Sequence, residues 1–248
     1  MYPHRIRLRG PWNCEPIAQR GNESAKPLPA ACLLTMPCRW CDSLLREFTG
    51  RVRFRRAFGY PGRIDVYERV WLTLTGLAGA AEMALNGTPL TGGVEVGATR
   101  EFDVTRLLRS RNELVVELDG TVGQGEVWHE VALEVRCTAF LRDLKRIAIL
   151  IEDGIELRVT GQVIGEAERP LELYVLLEGK VVSYQVVTAT NAGSVFDVHV
   201  TDLPKDQWRE KDGQIKPVMV QVDLVNGATV WFSSSEQVIP QPVTPQGK

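Results

Sequence analysis

The sequence predicts an all-β protein made of two β-sandwiches in series. This prediction rests on short runs that alternate apolar and polar residues, on turn residues between those runs, and on the lack of any pattern for a helix longer than one or two turns. In residues 69–75, for example, Val70, Leu72 and Leu74 share one face of a strand. One face of such a sheet is expected to be buried and the other to face water.

The size and composition fit two folded domains. The 248 residues are 44% hydrophobic and 24% charged, as is typical of a globular protein. The formal net charge of −2 argues against a nucleic-acid partner, because such a partner requires several phosphates to be neutralised. The apolar runs are too short for a transmembrane helix, and the N-terminus lacks the apolar stretch of a secretory signal, so we expect no membrane partner and a cytoplasmic location.

The first domain is expected over residues 1–140. Residues 5–12 predict an opening strand that ends with Trp12 as a plug of the sandwich, whereas residues 14–31 have the composition of a surface loop. Asn86-Gly87 supplies the two positive φ angles of a type I′ hairpin turn. Further strands of this domain are predicted at residues 52–58, 69–75, 81–85, 113–118 and 131–135.

The second domain is expected over residues 141–240, followed by a flexible tail at 241–248. It has about seven predicted strands, the number typical of an immunoglobulin-like sandwich. Pairs of turn residues, which are strong hairpin signals, separate several of these runs at Asp153-Gly154, Glu178-Gly179 and Asn226-Gly227. The strands are predicted at residues 144–151, 155–163, 171–177, 181–187, 194–200, 218–224 and 229–232.

Several segments follow one another in a recognisable order, at residues 50–58, 68–77, 81–87, 102–105 and 112–116. In this order they resemble the N-terminal sugar-binding domain of the beta-galactosidase and beta-glucuronidase family of glycoside hydrolases. Residues 131–239 resemble the domain that follows it in those enzymes. The resemblance therefore implies a galactose-binding-like jelly-roll sandwich followed by an immunoglobulin-like β-sandwich.

The resemblance implies the architecture of these enzymes without their chemistry. Those hydrolases carry their paired carboxylates on a (β/α)₈ barrel, which alone needs about 250 residues. The matched positions are scaffold residues: Asn86 and Gly87 in a turn, Phe102 and Val104 in packing, and Thr105 in a cap. We therefore expect no catalytic residue and no cofactor.

A non-catalytic carbohydrate-binding protein is the function predicted first. The alternative is a structural or interaction protein that has no sugar ligand and uses a sheet face or edge for a protein partner or for a second copy of itself. A glycoside hydrolase with a site between the domains is a third interpretation, which would need two carboxyl groups facing each other across a cleft.

Two sets of loop residues are candidates for a sugar site, because pyranose rings stack on aromatic side chains while polar groups bind the hydroxyls. One set is Trp128 and His129 with Glu126. The other is Tyr60 with Arg63. The competing interpretation for such aromatic rings is core packing.

Arginines recur on two predicted strand faces, at residues 5, 7 and 9 and at residues 51, 53 and 55. One interpretation is a solvated sheet face balanced by Glu113, Glu117 and Glu134 on neighbouring strands. The other is a surface for an anionic partner such as an acidic polysaccharide.

Four cysteines lie early in the chain. Their thiolates could together hold zinc, although the spacing lacks the second C-x-x-C of a zinc ribbon. A disulfide and reduced, partly buried thiols are the other two interpretations. The four residues are Cys14, Cys32, Cys38 and Cys41.

Overall fold

The computed structural model of the protein describes residues 3–19, 27–38, 48–77, 81–119, 127–151, 154–208 and 214–242. The regular secondary structure of these residues is almost entirely β-strand, which confirms the all-β class predicted from the sequence. The chain divides into two compact units, the first spanning residues 4–135 and the second beginning at Arg136. The domain limits predicted at residues 140 and 240 stay predictions.

The first unit contains a five-stranded sheet of order β1-β11-β5-β9-β8 and a six-stranded sheet of order β3-β2-β4-β10-β6-β7. Alternate residues of the central strands are fully buried, as Val52 and Phe54 show. The strands are β1 (His4–Arg7), β2 (Trp12–Gln19), β3 (Cys32–Leu34), β4 (Gly50–Gly59), β5 (Glu68–Thr75), β6 (Ala81–Leu85), β7 (Thr88–Pro89), β8 (Val94–Val96), β9 (Thr99–Asp103), β10 (Arg111–Asp119) and β11 (Glu130–Cys137).

Strand β2 corrects the surface loop that was predicted over residues 14–31. Trp12, Cys14 and Pro16 alternate with more exposed residues and are all buried, so the strand period is present. Pro16 argues against a strand when only the sequence is considered, because proline is usually absent from inner strands. Here β3 pairs only with residues 12–14 of β2, and the pairing with β4 shifts its register after Pro16, so no ladder hydrogen bond is required from that residue.

The predicted turn after β6 is confirmed, and the side chain of its asparagine also forms hydrogen bonds to neighbouring segments. Asn86 and Gly87 have φ angles of 53° and 81°. The Asn86 side-chain amide donates to the Leu107 carbonyl at 2.8 Å and to Asn112 Oδ1 at 2.9 Å, and its Oδ1 accepts from the Glu113 amide at 2.9 Å. Asn112 is itself buried.

A short 3₁₀ turn, Thr105–Leu107, connects β9 of the five-stranded sheet to β10 of the six-stranded sheet. The residue at its N-cap is Val104, which makes no side-chain cap hydrogen bond, so the capping role implied for Thr105 is wrong. The Thr105 hydroxyl instead accepts a hydrogen bond from the Val70 amide of β5 at 2.8 Å.

The second unit consists of two four-stranded sheets, of order β16-β13-β12-β19 and β15-β14-β17-β18. Each of the seven strands predicted for this part of the chain is present, as β12–β18. Of the predicted tail, residues 241–242 form a short strand and the remainder lies outside the described residues. The strands are β12 (Ala139–Leu150), β13 (Ile155–Gly165), β14 (Leu171–Leu177), β15 (Lys180–Val187), β16 (Ser194–Leu203), β17 (Val218–Asn226), β18 (Thr229–Val238) and β19 (Gln241–Pro242).

The hairpins of the second unit follow the predicted turns with one difference. Glu178 and Gly179 have φ angles of 48° and 77°, as a type I′ turn requires. Asn226 stays in β17, and Gly227, with a φ of 61°, begins the turn to β18. Asp153 lies outside the described residues.

Candidate functional site

A surface hollow of about 230 Å³ lies in the first unit, beside the outer strand β1. Its lining comes from three segments, residues 7–9, 36–37 and 129–131. Backbone hydrogen bonds join these segments: the Leu8 amide donates to the Val131 carbonyl at 2.8 Å, and the Met36 amide donates to the Arg9 carbonyl at 2.7 Å. The residues that line the hollow are Arg7, Leu8, Arg9, Met36, Pro37, His129, Glu130 and Val131.

The charges around the hollow are partly paired. The Glu130 carboxylate accepts hydrogen bonds from Arg5 and from Arg7 Nε, the latter at 2.5 Å. Arg5 also pairs with Glu134 at 3.0 Å. Arg9 is exposed, and its guanidinium makes no ion pair within the described ranges of the chain. Positive charge therefore exceeds negative charge at this rim.

This arrangement is suited to binding an anion. Guanidinium groups stay charged at all accessible pH values, and their paired N–H donors match the two oxygens of a carboxylate. The one carboxylate of the lining, Glu130, is already held by two arginines. Two facing carboxyl groups, as glycoside cleavage uses, do not occur among the residues that line the hollow.

Of the predicted sugar-site residues, the hollow contains His129 alone. This side chain is exposed, and its backbone amide is fixed to β5 by a hydrogen bond to the Thr75 carbonyl at 2.9 Å. Glu126, predicted to act with it, lies outside the described residues.

Trp128 does not fit the sugar-stacking role predicted for it. Its side chain is 0% exposed. The indole packs edge-on against Trp12 and Phe54, with ring centroids 5.0 and 4.9 Å away. A ring with no accessible surface has no face for a sugar, so Trp128 belongs to the core of the first unit. Trp12, predicted as a plug, is buried as expected.

Tyr60 and Arg63, the second predicted set, follow β4 and lie outside the lining of the hollow. The Tyr60 side chain is 45% exposed. Arg63 is 89% exposed and donates from Nε to Asp65 at 3.1 Å. Their role in ligand binding stays a prediction.

The ion pairs predicted for the arginine faces are found at two of the three expected glutamates. Arg51 and Arg53 each donate from Nε to Glu117 at 2.7 Å, and Arg5 pairs with Glu134. Burial raises the pKa of Glu117, but the hydrogen bonds from Arg53 and Arg51 lower it by more, so the pKa lies below its ordinary value. These arginines are neutralised within their own sheets, in contrast to Arg9.

A second, more open depression of about 500 Å³ lies in the second unit, on the sheet that contains β13 and β16. Its charged residues pair with each other: Arg158 binds Asp197 through two hydrogen bonds, at 3.0 and 2.6 Å, and His199 Nε2 lies 3.5 Å from Glu156. It therefore offers less unpaired charge to a ligand than the hollow beside β1.

The predicted cysteine cluster is partly assembled. Cys14 and Cys32 lie directly opposite each other on β2 and β3, and Cys38 Sγ is 3.3 Å from Met36 Sδ. Burial, followed by the proximity of Cys32, raises the pKa of the buried Cys14 thiol. Without a metal ion beside it, Cys14 therefore stays a protonated thiol at neutral pH.

No group of three or more potential metal ligands is arranged to hold an ion among the residues with described positions. The described cysteines form no disulfide. Cys41 lies outside the described residues, so the site of four thiolates stays a prediction.

The raised pKa of Cys14 predicts a loss of stability in alkali. Above the ordinary thiol pKa of 9.0, the unfolded chain releases this proton while the folded chain retains it. The free energy of unfolding should therefore fall as the pH rises above that value, by up to about 1.4 kcal/mol per pH unit from this one group. Urea denaturation of the wild type and of Cys14→Ala at several pH values measures the effect. If the free energy of unfolding changes with pH in the same way for the two proteins, the raised pKa of Cys14 is contradicted.

The comparisons with known proteins give a match in structure but not in sequence. No family model matches this chain, and no curated protein matches it by sequence. The apo structure of β-glucuronidase from Ruminococcus gnavus matches with a TM-score of 0.64 and 15% identity, over 96% of this chain and 46% of that chain. The β-glucuronidase of Bifidobacterium dentium, complexed with coumarin-3-O-glucuronide, matches with a TM-score of 0.66 and 16% identity, over 96% and 49%.

The chain has the fold of a part of these β-glucuronidases. At such identities the likeness concerns the fold alone. The chain spans less than half the length of the enzymes that it matches. No helix in the described part of the chain is long and apolar enough to cross a membrane.

Proposed function

We propose that this protein is a non-catalytic carbohydrate-binding protein, related to the non-catalytic domains of glycoside hydrolases, and that it binds an acidic saccharide in the hollow beside β1. The first unit would correspond to their galactose-binding-like jelly roll and the second to their immunoglobulin-like sandwich. The observation that carries the proposal is the guanidinium of Arg9, which has no ion pair among the described residues and lies at the rim of a hollow, on a fold shared with β-glucuronidases.

The charge of the rim favours a sugar that carries a carboxylate. Arg9 has no competing acid within the described residues, so an incoming carboxylate need not displace an existing ion pair. Arg7 is already bound to Glu130 and contributes a further positive charge beside it. His129 also lines the hollow and can bind a hydroxyl, and Met36 and Pro37 supply apolar surface for the C–H groups of the ring.

Two of the matched enzymes were solved with acidic sugar derivatives. The R. gnavus enzyme was solved with D-glucaro 1,5-lactone and with uronic isofagomine, and the B. dentium enzyme with coumarin-3-O-glucuronide. These names describe uronic compounds bound by enzymes more than twice as long as this chain. For this chain they serve only to choose the first ligands to test.

Calorimetric titration with glucuronic-acid oligosaccharides tests the proposal, with neutral gluco-oligosaccharides of equal length as the matched control. We expect the acidic series to bind and the neutral series to bind at least about tenfold more weakly, because a charge-assisted hydrogen bond is lost. Arg9→Gln should weaken acidic binding by about tenfold or more, and added salt should weaken it further, because the contact is exposed.

Arg63→Gln is the control variant, since it removes an exposed arginine from the other predicted loop set. It should leave the affinity unchanged. Equal affinity for acidic and neutral sugars, or an affinity that falls in Arg63→Gln and not in Arg9→Gln, would refute the proposed site. Release of chromophore from a nitrophenyl glucuronide would refute the non-catalytic assignment.

A structural or protein-interaction role is the second candidate function. The exposed apolar residues on β15 of the second unit favour it.

A further inference from the structure

Strand β15 is a long edge of its sheet and exposes apolar side chains. Proteins usually protect the edges of their sheets from pairing with other chains by keeping edge strands short or by placing charged residues on them. Among the edge strands of the described sheets, β3, β7, β8 and β19 have three residues or fewer. The longer ones carry charges: Arg5 and Arg7 on β1, Asp197 and Asp202 on β16, and Glu236 on β18.

β15 is neither short nor rich in charge, although its pairing with β14 shifts register once, between Val175 and Leu176. It is eight residues long, with the sequence KVVSYQVV, and its one charge is Lys180 at the first position. The strand is dominated by valine and tyrosine, which have high β propensity. Three of its side chains are largely exposed: Val181 at 57%, Tyr184 at 52% and Val186 at 59%. A long and largely apolar edge whose one charge lies at its first position is a site of strand pairing.

One side of β15 is available for such pairing. β14 pairs with β15 along one side, from Leu171 opposite Val187 to Leu177 opposite Lys180. No strand in the described part of the chain pairs with the other side. Strand β16 contacts β15 without forming a ladder with it, so the outward backbone groups of β15 can pair with the strand of another chain.

The exposed side chains of β15 continue an apolar surface onto β14. Tyr184 lies opposite Tyr174, and their ring centroids are 5.1 Å apart. Tyr174 also donates its hydroxyl to Glu172, two residues before it, which keeps its polar group satisfied at this surface. A strand added to β15 would therefore bury side-chain area as well as make backbone hydrogen bonds.

We propose that β15 pairs antiparallel with β15 of a second copy of this chain, about a two-fold axis, and joins the two four-stranded sheets into one. An antiparallel two-fold arrangement makes the contact self-complementary and closed. Self-pairing is compatible with the charges of β15, because Lys180 of one copy lies at the opposite end from Lys180 of the other. The edge strand β16 would instead bring several charged residues into a self-paired ladder.

Sedimentation equilibrium of the full chain, from about 5 to about 500 μM, tests this interface. We expect the wild type to form a dimer that dissociates on dilution, and Val186→Lys to weaken the dimer by at least about tenfold, because it places a charge on the pairing strand. Val195→Lys is the matched control: it changes a 77% exposed valine on the neighbouring edge strand β16 and should dimerise like the wild type.

Each outcome decides the proposal. Circular dichroism and thermal unfolding must match among the three proteins, and Tyr184→Lys provides a second variant on the same strand if Val186→Lys does not fold. A wild type that remains monomeric to the highest concentration overturns the proposal. A dimer that persists in both Val186→Lys and Tyr184→Lys also overturns the proposal, because the dimer interface must then lie on another surface. Slower amide exchange of β15 at high concentration is the direct readout that we expect.

Discussion

Trp128→Ala is expected to lower the free energy of unfolding of the first unit by about 3 to 5 kcal/mol, the usual loss when a large buried ring is truncated. The indole is fully buried between Trp12 and Phe54, so its removal leaves a cavity bordered by two other aromatic rings. Chemical denaturation followed by tryptophan fluorescence and far-ultraviolet circular dichroism measures the loss.

Two further variants separate a core role from a ligand role. Trp128→Phe should cost no more than about 2 kcal/mol, because it keeps an aromatic ring and removes an indole N–H that has no hydrogen-bond partner among the described residues. Tyr60→Ala removes a half-exposed ring and should change stability little. If Trp128→Ala unfolds like the wild type but loses sugar binding, the ring is a binding platform and the core assignment is wrong.

Gly165→Ala should destabilise the second unit by about 3 kcal/mol or more, because two penalties act at the same position. Gly165 has a φ of 110°, which residues with a Cβ rarely adopt. A Cβ there would also lie 2.0 Å from the Thr138 carbonyl oxygen, so the backbone of β12 or β13 must move. Thermal unfolding of the purified variant measures the result.

Gly179→Ala is the matched control for this prediction. Gly179 also has a positive φ, of 77°, but a Cβ there meets no atom within 4 Å. It should cost only the conformational penalty of about 1 to 2 kcal/mol. Equal losses for the two variants would show that the approach of Thr138 contributes nothing.

The sequence predicts the second unit well because its strands alternate clearly and its turns are marked. Residues 171–177, for example, form a strand with the bounds that the alternation indicates. Strand β2 was missed because Pro16 and Cys14 look like loop residues when hydrogen bonding to neighbours is unknown. The turn at Asn226 was displaced by one residue, since a strand and a turn both tolerate asparagine at that point.

The candidate site was less predictable than the fold. The alternation of Arg5, Arg7 and Arg9 indicated an arginine-rich face, but not which of the three would have no acidic partner in the described part of the chain. That depends on β1 lying against β11, where Glu130 and Glu134 engage the first two. Such a pairing joins residues more than a hundred positions apart, and neither periodicity nor composition reports it.

The amide network of Asn86 has a consequence for how the two sheets of the first unit are connected. Apolar contacts have little directional preference, whereas hydrogen bonds fix the positions of the groups that they join. Asn86, on the six-stranded sheet, bonds to the carbonyl of Leu107 in the turn that arrives from the five-stranded sheet, and Asn112 holds it in place. These directional bonds fix the position at which the chain passes from one sheet to the other.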